Sequence, residues 1–271
     1  MSLSRFLMCP PLYYGVEYVI NPWMEGQVHH TDNRLAREQW ASLHAILGGL
    51  AEVALLPAVS GLPDLVFTAN AALIHQKTAV LSNFRCPERQ PEAPHNSTWF
   101  SQNGYEVFHL PPDISFEGAG DALFDRALPL LWLGHGYRSD IRVQPHLARA
   151  TGKEVQPLRL CDPRFYHLDT CFCPLEDGHL LYFPAAFDQQ GNAAIEARVP
   201  ASKRLGLAEN DAIHFACNAI NVGSSIVLND ASVETADWLK SRGFTTLKTD
   251  LREFIKAGGA AKCLSLRLHE H

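Results

Sequence analysis

The order of local elements in this 271-residue chain repeats itself. A helix that stops at a glycine, a strand, a short polar motif and a hairpin follow one another several times. Glycine takes up the left-handed conformation that closes a helix at little cost, and it returns near positions 49, 104, 152 and 243. The polar motifs fall at Asn21, Asn70, Asp121, His167, Asn218 and Cys263, separated by 49, 51, 46, 51 and 45 residues. A period of about 48 over this length reads as five strand–motif–hairpin–helix units, and a period of that size implies a stacked or radial array. With five units a closed ring is favoured, because an open stack would expose two apolar ends. In a ring, equivalent loops converge on the axis, so the six polar motifs are expected to face one central site. No Pro/Gly/Ser linker or charge block interrupts the pattern, and residues 1–271 read as a single catalytic domain.

Within that period the apolar spacing predicts particular elements. Short strands are expected at 4–9 and 17–20, and a helix over 33–48, where Leu35, Leu43, Ile46, Leu47 and Leu50 recur at helical intervals. A strand at 53–56 and a strand-like stretch before Asn70 lead to a hairpin over 72–82 turning near Gln76-Lys77. Helices are expected at 95–103, 139–151, 192–204 and 231–242. Strands are expected at 105–110, 154–160 and 244–249, with hairpins over 122–133, at Asp177-Gly178 and around Gly223. An alternating strand is expected directly after Cys263.

Composition narrows the class of function. Apolar residues make up 46% and charged residues 19%, which is globular rather than disordered. A net charge of −6 argues against nucleic acid as a partner, since phosphate binding needs a basic surface. The apolar runs are too short for a membrane span. The opening residues MSLSRFLMCPP hold one arginine and no long apolar core, which does not read as a signal peptide. An odd count of seven cysteines without export signals points to reduced thiols and a cytoplasmic setting.

The residues that could carry chemistry lie in the polar motifs. Cys263 follows the small-residue run Gly258-Gly259-Ala260-Ala261 and sits beside Lys262. It suits a nucleophile, and it equally suits a buried cysteine packing as a small hydrophobe. His167 and Asp169 are two apart and would share a face of a strand, where a carboxylate could orient an imidazole for acid–base work. Cys171 and Cys173 share that face, but zinc wants four N/S ligands in a familiar spacing and no second pair is evident. Core cysteines are the better reading, and no metal is expected. Glu117 and Asp121 flank small residues and could grip a cation, or form a solvated turn. Asn70, Asn218 and Asn221 could bind a planar polar group or shape turns. Arg89 and Arg138 could hold a carboxylate bidentately, although a surface arginine is the commoner case. A thiol, an imidazole and several acids together favour attack on an electrophilic, cationic carbon, and a guanidinium carbon fits.

At these residues the chain resembles the guanidino-group-modifying (pentein) superfamily, which includes arginine deiminases, dimethylarginine dimethylaminohydrolases and amidinotransferases. FLMCPP, INPWM, PDLVFTANA, ERQ, FEGAGDAL, FYHLDTCFCPL, FACNAINV and KAGGAAKCLSLR are most similar to the catalytic module of cyanobacterial arginine dihydrolases, over about residues 6–268. The resemblance implies an α/β fold: a five-bladed α/β-propeller of ββαβ units around a central site. It implies Cys263 as nucleophile, His167 as acid/base and Glu117 as its partner. It implies substrate binding by Asn70, Asn21, Arg89, Asp121 and Asp169, the last as a guanidinium-binding acid. Asn70 stands where arginine deiminases carry an aspartate, and FEGAGD is one residue longer than the deiminase EGGD. The implied activity is hydrolysis of arginine through a covalent thiouronium to ornithine, ammonia and carbon dioxide. Deiminase, dimethylargininase or amidinotransferase chemistry, or an arginine-binding propeller without turnover, are the alternatives. No cofactor is implied. The expected partner is arginine or a close analogue, with no nucleic acid and no membrane, and a homo-oligomer is left open.

Overall fold

The computed structural model describes residues 4–269, so the first three residues of the stretch read for a leader lie outside it. The chain begins with β1 (Arg5–Met8), α1 (Asn33–Gly48) and β2 (Glu52–Leu55). The side chain of Asp32 caps α1 by accepting from the amides of Arg34 and Leu35. Four full units follow in the same order. They are β3 (Ala72–His75), β4 (Thr78–Leu81), α2 (Glu92–Gln102), β5 (Glu106–Phe108); then β6 (Ala122–Phe124), β7 (Leu130–His135), α3 (Gln144–Thr151), β8 (Glu154–Arg159). Next come β9 (Phe172–Leu175), β10 (His179–Tyr182), α4 (Gln189–Arg198), β11 (Arg204–Gly206) and the one-turn α5 (Glu209–Ile213). The last unit is β12 (Ile220–Val222), β13 (Ser225–Leu228), α6 (Val233–Ser241), β14 (Thr245–Lys248). The short α7 (Arg252–Ile255) and β15 (Leu266–Arg267) end the described chain.

These strands form five three-stranded sheets. In each complete unit the first two strands pair antiparallel through a hairpin, and the second pairs parallel with the third across the helix. The fifth sheet is assembled from both ends of the chain. β15 pairs antiparallel with β1, and β1 pairs parallel with β2. That pairing closes the ring, so the fifth unit has no free edge where the chain starts. The first strands β3, β6, β9 and β12 and the closing β15 all line one common cavity, which places them around an axis. The helices pack on the outer strands: Val143 and Leu147 at α3 are buried in one cluster with Leu131, Leu133 and Val155 of β7 and β8. The molecule is a five-bladed α/β-propeller.

Proline explains most of the boundary differences. Helix α2 starts earlier than expected, at Glu92, because Pro94 sits in the first turn where its missing N–H is no loss. The helix expected over 139–151 is a 3-10 turn, Ile141–Val143, followed by α3 with proline at its start. Helix α4 ends at Arg198, not at 204, since Val199 precedes Pro200 and is held extended at φ −111°, ψ 114°. Gly104, Gly152 and Gly243 take positive φ as the repeat requires, while Gly49 stays right-handed. The hairpin expected at Asp177-Gly178 has both residues at positive φ.

Three expectations are corrected. Residues 17–20 form no strand, because both edges of β1 are already taken by β15 and β2. The stretch before Asn70 is two 3-10 turns, Pro63–Val66 and Thr68–Asn70, not a strand. Cys263 lies in a turn, and pairing with β1 begins only at Leu266. The seven cysteines are all unpaired. Among the described residues no helix is long and apolar enough to cross a membrane.

Candidate active site

Three of the polar motifs share one local shape. Thr68–Asn70, Gly118–Gly120 and Leu168–Thr170 are 3-10 turns that each deliver the chain into the first strand of a unit. Successive turns are 50 residues apart, so Glu117 and His167 occupy equivalent positions just before their turns. Side chains hold the turns in place. Thr68 Oγ1 donates to the carbonyl of Leu7 at 2.9 Å, and Thr170 Oγ1 to that of His167 at 2.7 Å. Asn21 does not belong to this series. It lies on the segment between β1 and α1, where its Nδ2 donates to Ala257 O at 3.1 Å. The ring thus carries three matching turns, Asn218 and Cys263 lie in a bend and a turn ahead of β12 and β15, and the sixth motif is supplied by a strap, the segment between β1 and α1.

The strap is pinned by side chains rather than by sheet pairing. Tyr14 OH donates to Glu253 O at 2.7 Å, Tyr18 OH to Asp64 Oδ2 at 2.9 Å, and Trp23 Nε1 to Arg164 O at 2.7 Å. Beneath it lies a cavity with about 270 Å3 of free space, part of it open to solvent. Its walls include Asn21, Asp64, Asn70, Arg89, Arg138, Tyr166, His167 and Cys263. Cys263 and His167, 96 positions apart in sequence, therefore share one cavity. Glycine makes the approach possible on both sides. A Cβ at Gly259 would stand 2.6 Å from the Phe67 ring and 3.1 Å from Cys263 Cβ. One at Gly120 would stand 2.2 Å from Asn70 Nδ2.

The partner of the imidazole is Glu117, as the resemblance implied, and not Asp169 as the spacing alone suggested. His167 Nε2 is 2.7 Å from Glu117 Oε2. That leaves Nδ1 as the ring nitrogen for proton exchange. Glu117 is completely buried and also accepts from Arg138 Nη1 at 3.1 Å. Burial alone would raise its pKa, but the Arg138 guanidinium and the bond from His167 outweigh it and hold the carboxyl well below the usual range.

Cys263 is 3% exposed. Its Sγ lies 3.5 and 3.6 Å from the oxygens of Asp169 and accepts from Asn218 Nδ2 at 3.0 Å. Burial and then the Asp169 charge push the thiol well above its ordinary value; the Ala260 amide, Asn218 and Lys262 oppose them. Asp169 is itself raised to about 7 by burial, with Lys262 and the bonds from Cys263 and Asn218 acting against it. A cation brought to this sulfur would relieve both groups.

Asp121 and Asp169 are buried but are not among the residues lining the cavity. Asp169 lies against the sulfur. Asp121 ties two elements together, accepting from Ser139 Oγ at 2.6 Å and from the Leu168 amide at 3.0 Å. Its pKa is raised to about 6, chiefly by burial. Arg89 lines the cavity, yet most of its fork is committed. It donates to Glu92 at 2.7 and 2.9 Å, to Asn70 Oδ1 at 2.9 Å and to Asp64 O at 3.2 Å.

Sequence reasoning assigned no definite role to three residues here. Arg138, weighed as a carboxylate holder against the commoner surface arginine, is 4% exposed and stacks on the Tyr166 ring at 4.6 Å. Asn218, read as ambiguous, bridges the sulfur and its peptide. Asp64 lines the cavity, fully buried, with Oδ1 lacking a hydrogen-bond partner. An acid inside the apolar run of PDLVFTANA was the available signal. Cys171 and Cys173 pack in the core, and among the described residues no group of three His, Cys, Asp or Glu is arranged to hold a metal ion. The cavity lined by the first strands has no histidine or carboxylate on its walls.

Comparison with known proteins finds relatives over nearly the whole chain. The profile of the N,N dimethylarginine dimethylhydrolase family, eukaryotic type, matches residues 26–270. The chain is 54% identical over 269 residues to the bifunctional arginine dihydrolase/ornithine cyclodeaminase AgrE of Nostoc sp., covering 99% of this chain and 38% of that one. It thus spans less than half the length of that relative. It is 38% identical to the N(G),N(G)-dimethylarginine dimethylaminohydrolase of Mycobacterium tuberculosis, covering 98% of this chain and 86% of the other. Among solved structures it is similar to the N-terminal domain of ArgZ, a cyanobacterial arginine dihydrolase crystallised with substrate as a cysteine-to-serine variant. The TM-score is 0.98 at 51% identity, over 98% of each chain.

Proposed function

Because this chain belongs to the N,N-dimethylarginine dimethylhydrolase family of the pentein superfamily, we propose that it hydrolyses the guanidinium group of L-arginine through to ornithine, ammonia and carbon dioxide. The observation that carries the proposal is one cavity lined by Cys263, His167 and a neutral Asn70, with Glu117 bonded to His167 from behind the wall. Two cyanobacterial relatives, 54% and 52% identical, are named for arginine dihydrolase activity.

Arginine enters with its guanidinium toward Cys263. Asp64 offers a buried carboxyl with one oxygen lacking a partner, suited to the α-ammonium; burial raises its pKa, and an ammonium beside it would favour the charged form. Arg138 offers the N–H groups not used on Glu117 and Ile20, suited to the α-carboxylate. Asn21 and Arg89 complete the wall. As the guanidinium carbon nears Sγ, it comes within reach of Asp169, and its charge lowers the thiol pKa. The thiolate attacks the carbon. His167, held by Glu117, protonates the leaving nitrogen of the tetrahedral adduct, and ammonia departs, leaving a covalent thiouronium. His167 then takes a proton from water, which adds to the same carbon and expels the sulfur, giving the ureido product.

In the second round Sγ attacks the ureido carbon. A second ammonia leaves, water releases a carbamate, and the carbamate decomposes to ornithine and carbon dioxide. Asn70 supports this round. A carboxylate there would favour the cationic guanidinium strongly over the neutral ureido group, and an amide discriminates less. These steps use side chains of the chain alone. We further propose that the chain acts as one catalytic unit in the cytoplasm, alone or as a homo-oligomer.

The test is product analysis with arginine as sole substrate. Two ammonia per ornithine is expected. Citrulline as the end point would make the protein a deiminase. Dimethylamine from methylated arginine, with arginine a poor substrate, would make it a dimethylargininase, the activity for which the mycobacterial relative is named. Calorimetric binding without turnover would make it a binding protein.

A further inference from the structure

We infer that the buried Arg89–Glu92 ion pair is a positioning device: it fixes which way round the Asn70 amide sits, and so sets how efficiently the ureido intermediate is carried into the second hydrolysis. The inference rests on the two-round reading above and deepens it.

The two ends of an asparagine amide have the same shape and opposite hydrogen-bonding sense. Here both ends are specified. Oδ1 accepts from Arg89 Nη1 at 2.9 Å, and Nδ2 donates to Glu117 O at 3.2 Å. Arginine can only donate and a backbone carbonyl can only accept. A flipped amide would set donor against donor on one side and acceptor against acceptor on the other, in a buried place where unmade bonds are costly. Arg89 can impose this only if its own fork is fixed. Glu92 fixes it through bonds to Nε and Nη2, while Phe84 lies under the guanidinium carbon at 4.7 Å. Glu92 is 2% exposed and does not line the cavity, so its role is exercised through Arg89.

The orientation has a chemical consequence. With Oδ1 turned to Arg89, Asn70 keeps its second Nδ2 hydrogen to offer the cavity. A guanidinium is a donor on every nitrogen and has nothing to receive that hydrogen. The ureido group has a carbonyl oxygen, and attack by Sγ turns it into an oxyanion. A fixed donor at that oxygen favours the second round over the first. Loosening Arg89 lets the amide turn and weakens that preference.

The experiment measures kcat/KM with arginine and with citrulline, and the ratio of citrulline released to carbon dioxide formed from arginine labelled at the guanidino carbon. Glu92→Gln removes the charge and half of the grip, and Arg89→Lys keeps a charge but loses the fork. Both variants should lower the citrulline-to-arginine ratio of kcat/KM by about fivefold, the worth of one ordinary hydrogen bond, and raise released citrulline to match. These ratios do not depend on how much protein is folded. If both variants lose activity equally on the two substrates, the pair is merely structural and the inference is overturned. If the wild type stops at citrulline, the two-round reading itself falls and takes the inference with it.

Discussion

Asn218 holds the nucleophile and the peptide that carries it in one grip. Its Nδ2 stands 3.0 Å from Cys263 Sγ, and its Oδ1 accepts from the amides of Cys263 at 3.1 Å and Ala260 at 3.2 Å. The donor stabilises a thiolate, and the acceptor tightens the turn. Asn218→Ala should raise the thiol pKa further and cut kcat/KM near neutral pH by about tenfold, with a stability loss of about 1–3 kcal/mol for the orphaned amides. The pH profile of alkylation by iodoacetamide checks this. An unmoved inflection would remove Asn218 from the activation of the sulfur.

Cys263→Ala should lower turnover at least about 10^4-fold, since a covalent route has no substitute for its nucleophile. Arginine should still bind, because the groups suited to its charges lie elsewhere on the wall. Rapid-quench kinetics and calorimetry give the two readings. Retained turnover would exclude the sulfur as nucleophile.

Glu117→Gln should cost about 10^2-fold or more in kcat, as His167 loses the carboxylate that orients it. It should also cost about 3–5 kcal/mol in stability, because Arg138 is left buried with half its pairing gone. Since Glu117 titrates below its unfolded range, its contribution is complete above the usual carboxylate range and fades as pH falls through its folded value. Urea melts should show the gap between wild type and variant narrowing toward acid. A pH-independent gap would deny the depressed pKa.

Asp169 runs the other way. Its folded pKa of about 7 lies above its unfolded value, so between the two the native state binds the extra proton and stability falls as pH rises. The slope reaches about 1.4 kcal/mol per pH unit at most. Asp169→Asn removes that proton uptake. The melting temperature of the variant should therefore rise relative to wild type on going from pH 5 to pH 8, and a constant difference would contradict the assignment.

Gly120→Ala should destabilise by about 1–3 kcal/mol, as overpacking of a closed core does. The added methyl would meet Asn70 Nδ2 at 2.2 Å, so the citrulline-to-arginine preference should change as well. Normal kinetics on both substrates would mean that the loop yields without moving Asn70.

Much of this molecule was legible in the sequence because a ring of repeats writes its period along the chain. Helix-closing Gly104, Gly152 and Gly243, the Asp177-Gly178 hairpin and the motif spacing all reflect local conformational rules, and local rules act through near neighbours. Boundaries slipped where proline at 94, 145 and 200 acts by position within a turn. The strand expected at 17–20 failed for a different reason: a strand needs a free edge, and the edge was occupied by a segment 250 residues away.

The chemical types of the site were likewise set by the sequence: a thiol after a small-residue run, an imidazole, scattered acids and amides. Their pairings were not. Spacing joined His167 to Asp169, while folding joined it to Glu117, and it put Arg138 and Asp64 on the wall and turned Asp169 toward the sulfur. Closure of the β15–β1 pair decides which side chains face across the axis. Hydrogen bonds and charge act over a few ångströms, so which groups tune one another is settled only when strands far apart in the chain are brought around that axis.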